Sequence, residues 1–159
     1  MTATWVRRGE RKRLPYENPQ GRRYNTLVLY APRGVQPAWD WIGKPRAFTA
    51  EDLIHFLLER PPCPVPLVIV LDNASLHRCQ AVRAALPRLW ARGIYFFFLP
   101  PYSPELNAIE RRFRVIKHVD LPARVYTPFA ALETAVDAAY TRYELALLAQ
   151  CDTQLGLAA

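Results

Sequence analysis

No apolar stretch of the sequence is long enough to cross a bilayer. The longest, Pro64 to Leu71, falls far short of the roughly 20 residues a membrane helix needs. The N-terminus, MTATWVRRGERKRLP, lacks the apolar centre of a secretory signal. Cysteine is scarce: Cys63, Cys79 and Cys151 are scattered, odd in number and outside any ligand spacing. That argues against a disulfide framework or a cysteine zinc site and fits reduced thiols. There is no internal repeat and no low-complexity tract. The expectation is a cytoplasmic globular protein with no membrane partner. With 159 residues, 51% of them apolar, the chain suits one core.

Acidic residues are also few, 14 against 21 Lys and Arg, for a net charge of +7. The excess is uneven. Residues 1–24 hold seven basic and two acidic side chains, and residues 107–118 hold four and one. Residues 121–159 reverse the balance, with two basic and four acidic. A basic front and a slightly acidic tail point to a polyanion bound on one side, against the plainer reading of a solvated basic surface.

Residues 4–8 and 24–30 read as strands, and 31–47, with three Pro and two Gly, as a loop holding Trp39, Trp41 and Ile42. Thr49 is placed to cap a helix with Glu51 and Asp52 in its first turn, stopped by Pro61 and Pro62. LVIVL at 67–71 and IYFFFL at 94–99 are continuous apolar runs, which predicts strands buried on both faces. A helix over roughly 78–91, ended by Gly93, lies between them. PPYSPE at 100–105 breaks the chain. A helix from near Asn107 follows, with Leu106, Ile109, Phe113 and Ile116 on one face. Thr127 caps a last helix whose buried side is Phe129, Leu132, Val136, Tyr140, Tyr143 and Leu147. This order predicts an α/β fold, a mixed sheet flanked by helices, with residues 1–120 as core and 121–159 as a helical extension packed on it.

Two carboxylates stand out. Asp72 closes the strand LVIVLD, at the carboxyl end where ligands of such sheets sit. Glu110 lies just past the other parallel strand, in the first turn of its helix, on a face shared with Arg114 and Lys117. If the strands are neighbours, both carboxylates meet one crevice, beside basic side chains for a phosphate backbone. Such a pair suits Mg²⁺ or Mn²⁺, ions that serve phosphodiester displacement. The plainer readings are an ion pair of Glu110 with Arg114 and a helix-capping Asp72.

VLDNASLHR at 70–78, followed by FFFLPPYSPELNAIERRFRVIKH at 96–118, resembles the mariner superfamily of DDE transposases, closest to the bacterial branch named for insertion sequence 630. TWVRRGERKRLP resembles that family's second strand with its Gly-Glu-Arg turn, so the likeness covers nearly the whole chain. The resemblance implies an RNase H-like fold and metal-dependent strand cleavage and strand transfer in DNA transposition. It maps the second catalytic Asp to Asp72 and the catalytic Glu to Glu110. Asn73, His77, Tyr102, Ser103, Pro104 and Asn107 fall on motif positions that shape the site or contact DNA, with His77 equally readable as a structural histidine. Arg11, Lys12, Arg111, Arg114 and Lys117 are the basic residues expected at the DNA, and Pro100, Pro101 and Pro104 are turn residues that aim Glu110.

Two departures qualify the resemblance. Ala108 stands where the family usually has Pro. More importantly, the family's first catalytic Asp lies on a central first strand, before the segment matching Thr4 to Arg13. Neither Glu10, in the turn, nor Asp40, between two Trp, occupies that place. The family's N-terminal helix-turn-helix region is unmatched too. A start codon placed too late, an upstream frame joined by frameshifting, and a decayed remnant are the three explanations. Without the first strand, its neighbours would expose backbone groups and apolar faces. The leading expectation is therefore a transposase catalytic domain, homo-oligomeric, acting on element ends and target DNA in the nucleoid and joined by an upstream-encoded segment. The alternatives are a catalytically incomplete DNA-binding remnant that regulates a full-length transposase, and an RNase H-like nuclease of RNA or hybrids.

Overall fold

The computed structural model describes residues 23–32, 38–62, 65–101, 103–121, 126 and 128–156. The expected strand at 4–8, the basic pair Arg11 and Lys12, Tyr102 and the capping Thr127 lie outside the described residues. The fold is mixed α/β, consistent with an RNase H-like fold. The chain forms two compact units, Ala47–Arg111 and Met1–Arg46 with Arg112–Ala159.

The first unit is built on a parallel pair, β3 (Leu67–Leu71) and β4 (Ile94–Phe98), in the register Leu67 to Ile94 through Leu71 to Phe98. Helix α1 (Ala50–Leu58) starts as its sequence predicts. Asp52 N–H donates to Thr49 Oγ1 at 3.3 Å and Thr49 N–H donates to Asp52 Oδ2 at 2.6 Å, a reciprocal capping box. Its buried face, Ala50, Leu53 and Leu57, packs toward α3 (Gln80–Trp90), which offers Val82, Ala85 and Leu89 and lies against β4. The expected helix over 78–91 is two pieces: a single turn, α2 (Ser75–Arg78), and then α3, parted by an extended Cys79. Gly93 ends the crossover at φ +73°, where a side chain would be strained, and its carbonyl accepts from Leu67 N–H at 2.8 Å.

The expectation that β3 and β4 are covered on both faces does not hold. Ile69, Leu71 and Ile94 are buried. Val68, Val70, Tyr95 and Phe97, which the register places together on the opposite face, are 43–59% exposed. An apolar run records that both faces can be buried, not that both are.

In the second unit, β1 (Asn25–Ala31) pairs antiparallel with β2 (Ala38–Lys44). The latter corrects the reading of 31–47 as a loop. Trp39 and Trp41 alternate with Asp40 and Ile42 as a strand requires, and Trp39 is 1% exposed. Gly43 belongs to the strand because Tyr24 lies over it: a Cβ there would come within 2.3 Å of the Tyr24 hydroxyl. Helix α5 (Phe129–Gly156) packs on β2 through the predicted stripe, with Val136, Tyr140 and Leu147 buried. Trp39 centres an aromatic cluster, with ring centroids 5.4 Å from Tyr30, 6.4 Å from Phe113, 5.6 Å from Tyr140 and 4.9 Å from Tyr143. The first three are edge-to-face, an arrangement that adds about 0.5–1.5 kcal/mol per pair beyond burial.

Tyr140 ties helix to hairpin, its hydroxyl 2.9 Å from Thr26 Oγ1. Burial raises the pKa of its phenol, with the Thr26 hydrogen bond opposing. The folded chain thus holds this proton more tightly than the unfolded chain, so stability is full below pH ~10 and falls as pH rises further. Tyr140→Phe is expected to lose about 1 kcal/mol at neutral pH and to show a shallower alkaline decline, read by urea unfolding across pH. An alkaline decline as steep as in the unsubstituted chain would contradict this role.

Candidate active site

Asp72 directly follows β3, at the carboxyl end of the parallel pair, because the Val-Ile-Val-Leu run ends there and the chain turns out of the sheet. Its side chain is about half exposed and held by one oxygen. Oδ1 accepts from Ala74 N–H at 3.0 Å and lies 2.9 Å from His77 Nδ1. Among the described residues nothing engages Oδ2. His77 is itself mostly buried, on α2, with its N–H donating to Ala74 C=O at 2.9 Å. The ring and the Ala74 amide therefore hold the carboxylate by Oδ1 alone.

Asn73 turns the other way. Its side-chain amide donates to Leu99 C=O at 2.6 Å, and Leu99 N–H donates to Leu71 C=O at 2.8 Å. These bonds carry the β3–β4 ladder beyond the strands and pin the point where the Pro-rich turn begins. From there Ser103 C=O accepts from Leu106 N–H at 3.2 Å and opens a short 3-10 turn, Pro104–Leu106. Asn107 C=O accepts from Glu110 N–H at 3.2 Å in the first turn of α4 (Ala108–Val115). Glu110 is exposed. Leu106, expected on the packed face of this helix, lies in the turn before it and is 55% exposed. Ile109 and Phe113 are half-buried, and Ile116 is buried where α4 widens into a π turn, Ile116–Asp120.

Asp72, Asn73, His77, Ser103, Asn107, Glu110 and Arg111 thus belong to one unit, whereas Arg114 and Lys117 belong to the other. Arg111, Arg114 and Lys117 are all exposed. Arg112 is not available in the same way: it donates to the Tyr30 hydroxyl at 3.0 Å and lies over the Tyr30 and Tyr143 rings. The Tyr30 bond chiefly raises its pKa, so its charge is permanent. A second arginine is stacked on a ring. Arg78 lies with its guanidinium carbon 5.4 Å from the Phe98 ring centre. No local pattern pairs residues that far apart in the chain.

Among the described residues, no group of three or more His, Cys, Asp or Glu side chains stands close enough to hold a metal ion. Asp72 and Glu110 still offer what a hard cation needs, exposed carboxylate oxygens beside open surface. A hollow of about 530 Å³ between α1 and α3, lined by Ile54, Leu58, Ala84 and Arg88, includes neither carboxylate. Nor does one of about 460 Å³ lined by Phe113, Ile116, Leu132 and Tyr140. Among the described residues no helix is long and apolar enough to cross a membrane.

A family model described as a DDE superfamily endonuclease matches residues 1–126 of the chain. No curated protein matches it.

The Asn73 bond makes a direct prediction. Asn73→Ala removes the donor to the buried Leu99 backbone and is expected to cost about 1–2 kcal/mol in urea unfolding. Asn73→Asp, which sets a carboxylate against that carbonyl, is expected to cost more. Equal stability of Asn73→Asp and the unsubstituted chain would show that the latch does not hold.

Proposed function

The chain belongs to the DDE superfamily of endonucleases, and on that footing we propose that it is a transposase catalytic domain of the mariner type in which Asp72 and Glu110 are metal-binding carboxylates. The observation that carries this reading is the orientation of Asp72. The Ala74 N–H and His77 Nδ1 both engage Oδ1, and the side chain, at the carboxyl end of the parallel pair, stays half exposed with no described residue engaging Oδ2. The Asn73 latch and the turn after Leu99 then lead the chain to Glu110 in the first turn of α4. The motif spacing DN-x-x-x-H and PPYSPELNAIE supports the same assignment by resemblance.

Mg²⁺ or Mn²⁺ held by these carboxylates would supply activation of water and stabilisation of the leaving oxygen. The protein's own part is positional. His77 and the Ala74 amide keep Asp72 from swinging away, and the exposed Arg111 offers charge-assisted hydrogen bonds to phosphate oxygens. The reaction is hydrolysis of a phosphodiester at an element end. A P–O bond forms to water and the bond to the 3′ oxygen breaks; the freed 3′-hydroxyl then attacks a target phosphodiester, bonding to its phosphorus as the target strand's 3′ oxygen leaves as a hydroxyl. No covalent bond to the protein is needed. The pair makes up two of the three carboxylates that the resemblance implies.

The test is nicking of supercoiled plasmid by the full chain with Mg²⁺ or Mn²⁺, alongside Asp72→Asn and Glu110→Gln. Either substitution is expected to lower nicking at least a hundredfold, since loss of charge stabilisation costs about 2.7 kcal/mol or more, while DNA binding persists. Full nicking by Asp72→Asn would remove the assignment. Salt-sensitive DNA binding with no nicking by the unsubstituted chain would favour the non-catalytic reading instead.

A further inference from the structure

We propose that Arg78 is a phosphate-binding residue of this site, contacting the DNA backbone beside Asp72. The inference rests on the reading of Asp72 given above and adds a residue that reading does not use. Arg78 ends α2, the single turn that follows Asp72, Asn73 and Ala74. Its chain neighbour His77 is the residue that grips Asp72, so Arg78 is fixed at the same edge of the sheet. Phe98, over which its guanidinium lies, is the strand partner of Leu71, the residue immediately before Asp72.

The form of the contact matters. A guanidinium stacked on a ring gains cation–π energy and loses side-chain freedom before any ligand arrives, while its N–H edge stays available. Among the described residues Arg78 has no carboxylate partner. Arg112 is the contrasting case, since it also lies over tyrosine rings but spends a donor on the Tyr30 hydroxyl. Arg78 keeps its planar fork for an anion from outside. A phosphodiester reaching Asp72 brings two non-bridging oxygens past that fork, and a bidentate pair with phosphate is the geometry arginine provides and lysine does not.

A packing role alone would make Arg78 a cover for Phe98 with no effect on ligands. Binding of the full chain to a short fluorescein-labelled DNA duplex, measured over a salt series without metal, separates the two. Arg78→Ala is expected to weaken binding about tenfold and to reduce the slope of log K against log salt by about 0.9. Arg78→Lys should keep the slope and recover only part of the affinity. A slope in Arg78→Ala equal to that of the unsubstituted chain overturns the proposal, even if urea unfolding shows lost stability. Asp72→Asn in the nicking assay keeps the two claims apart. If it nicks normally, the metal-site reading fails by itself. If it is inactive and the Arg78→Ala slope is unchanged, only the Arg78 assignment falls.

Discussion

The register between β3 and β4 governs everything at the carboxylate edge. Leu71 pairs with Phe98, and the ladder continues one step further through Leu99 N–H to Leu71 C=O. Asn73 then closes on Leu99 C=O from the other strand. A slip of one residue would turn the buried Ile69, Leu71 and Ile94 outward. It would also part Asn73 from its acceptor and move the start of the Pro-rich turn that leads to Glu110. The hydrophobic pattern of the strands thus sets where the polar groups of the site can be.

The basic residues divide by what they already touch. Arg112 is engaged by Tyr30 and Tyr143 within the aromatic cluster of Trp39, where it serves the fold of its own unit. Arg78 is stacked with no carboxylate partner among the described residues, and Arg111 is exposed in the helix that carries Glu110. A count of positive charges treats these residues alike. Their contacts tie some of them to the fold and leave others exposed; on the proposed reading it is the exposed ones that would meet a polyanion, with the salt dependence that counterion release gives.

Much of this was legible in the sequence because it is local. Thr49 and Asp52 are three residues apart and form a capping box; Gly93 ends a helix with positive φ; LVIVL and IYFFF are strands with Asp72 at the end of the first. What was not legible depends on distant neighbours. The strand Ala38–Lys44 lies among prolines and glycines that suggest a loop, although its Trp–Asp–Trp–Ile alternation carries the strand period. Gly43 looked like a breaker and is a place where Tyr24 comes close. The second face of β3 and β4 could not be read, since valine and phenylalanine alone do not say whether anything covers them. The hydrogen bond of Asn73 and the stacking of Arg78 each join residues from separate strands or turns, so motif spacing marks the first as important without giving its partner.

The central claim is that Asp72 and Glu110 hold one metal ion together, and it can be tested without relying on activity. Fe²⁺ substituted for Mg²⁺ in the presence of ascorbate and peroxide generates hydroxyl radicals at the ion, which cut the nearest backbone. The account predicts cuts beside both Asp72 and Glu110, suppressed together by excess Mg²⁺ and lost together in Asp72→Asn. Cuts at only one of the two positions, or at both positions in Asp72→Asn, would contradict it.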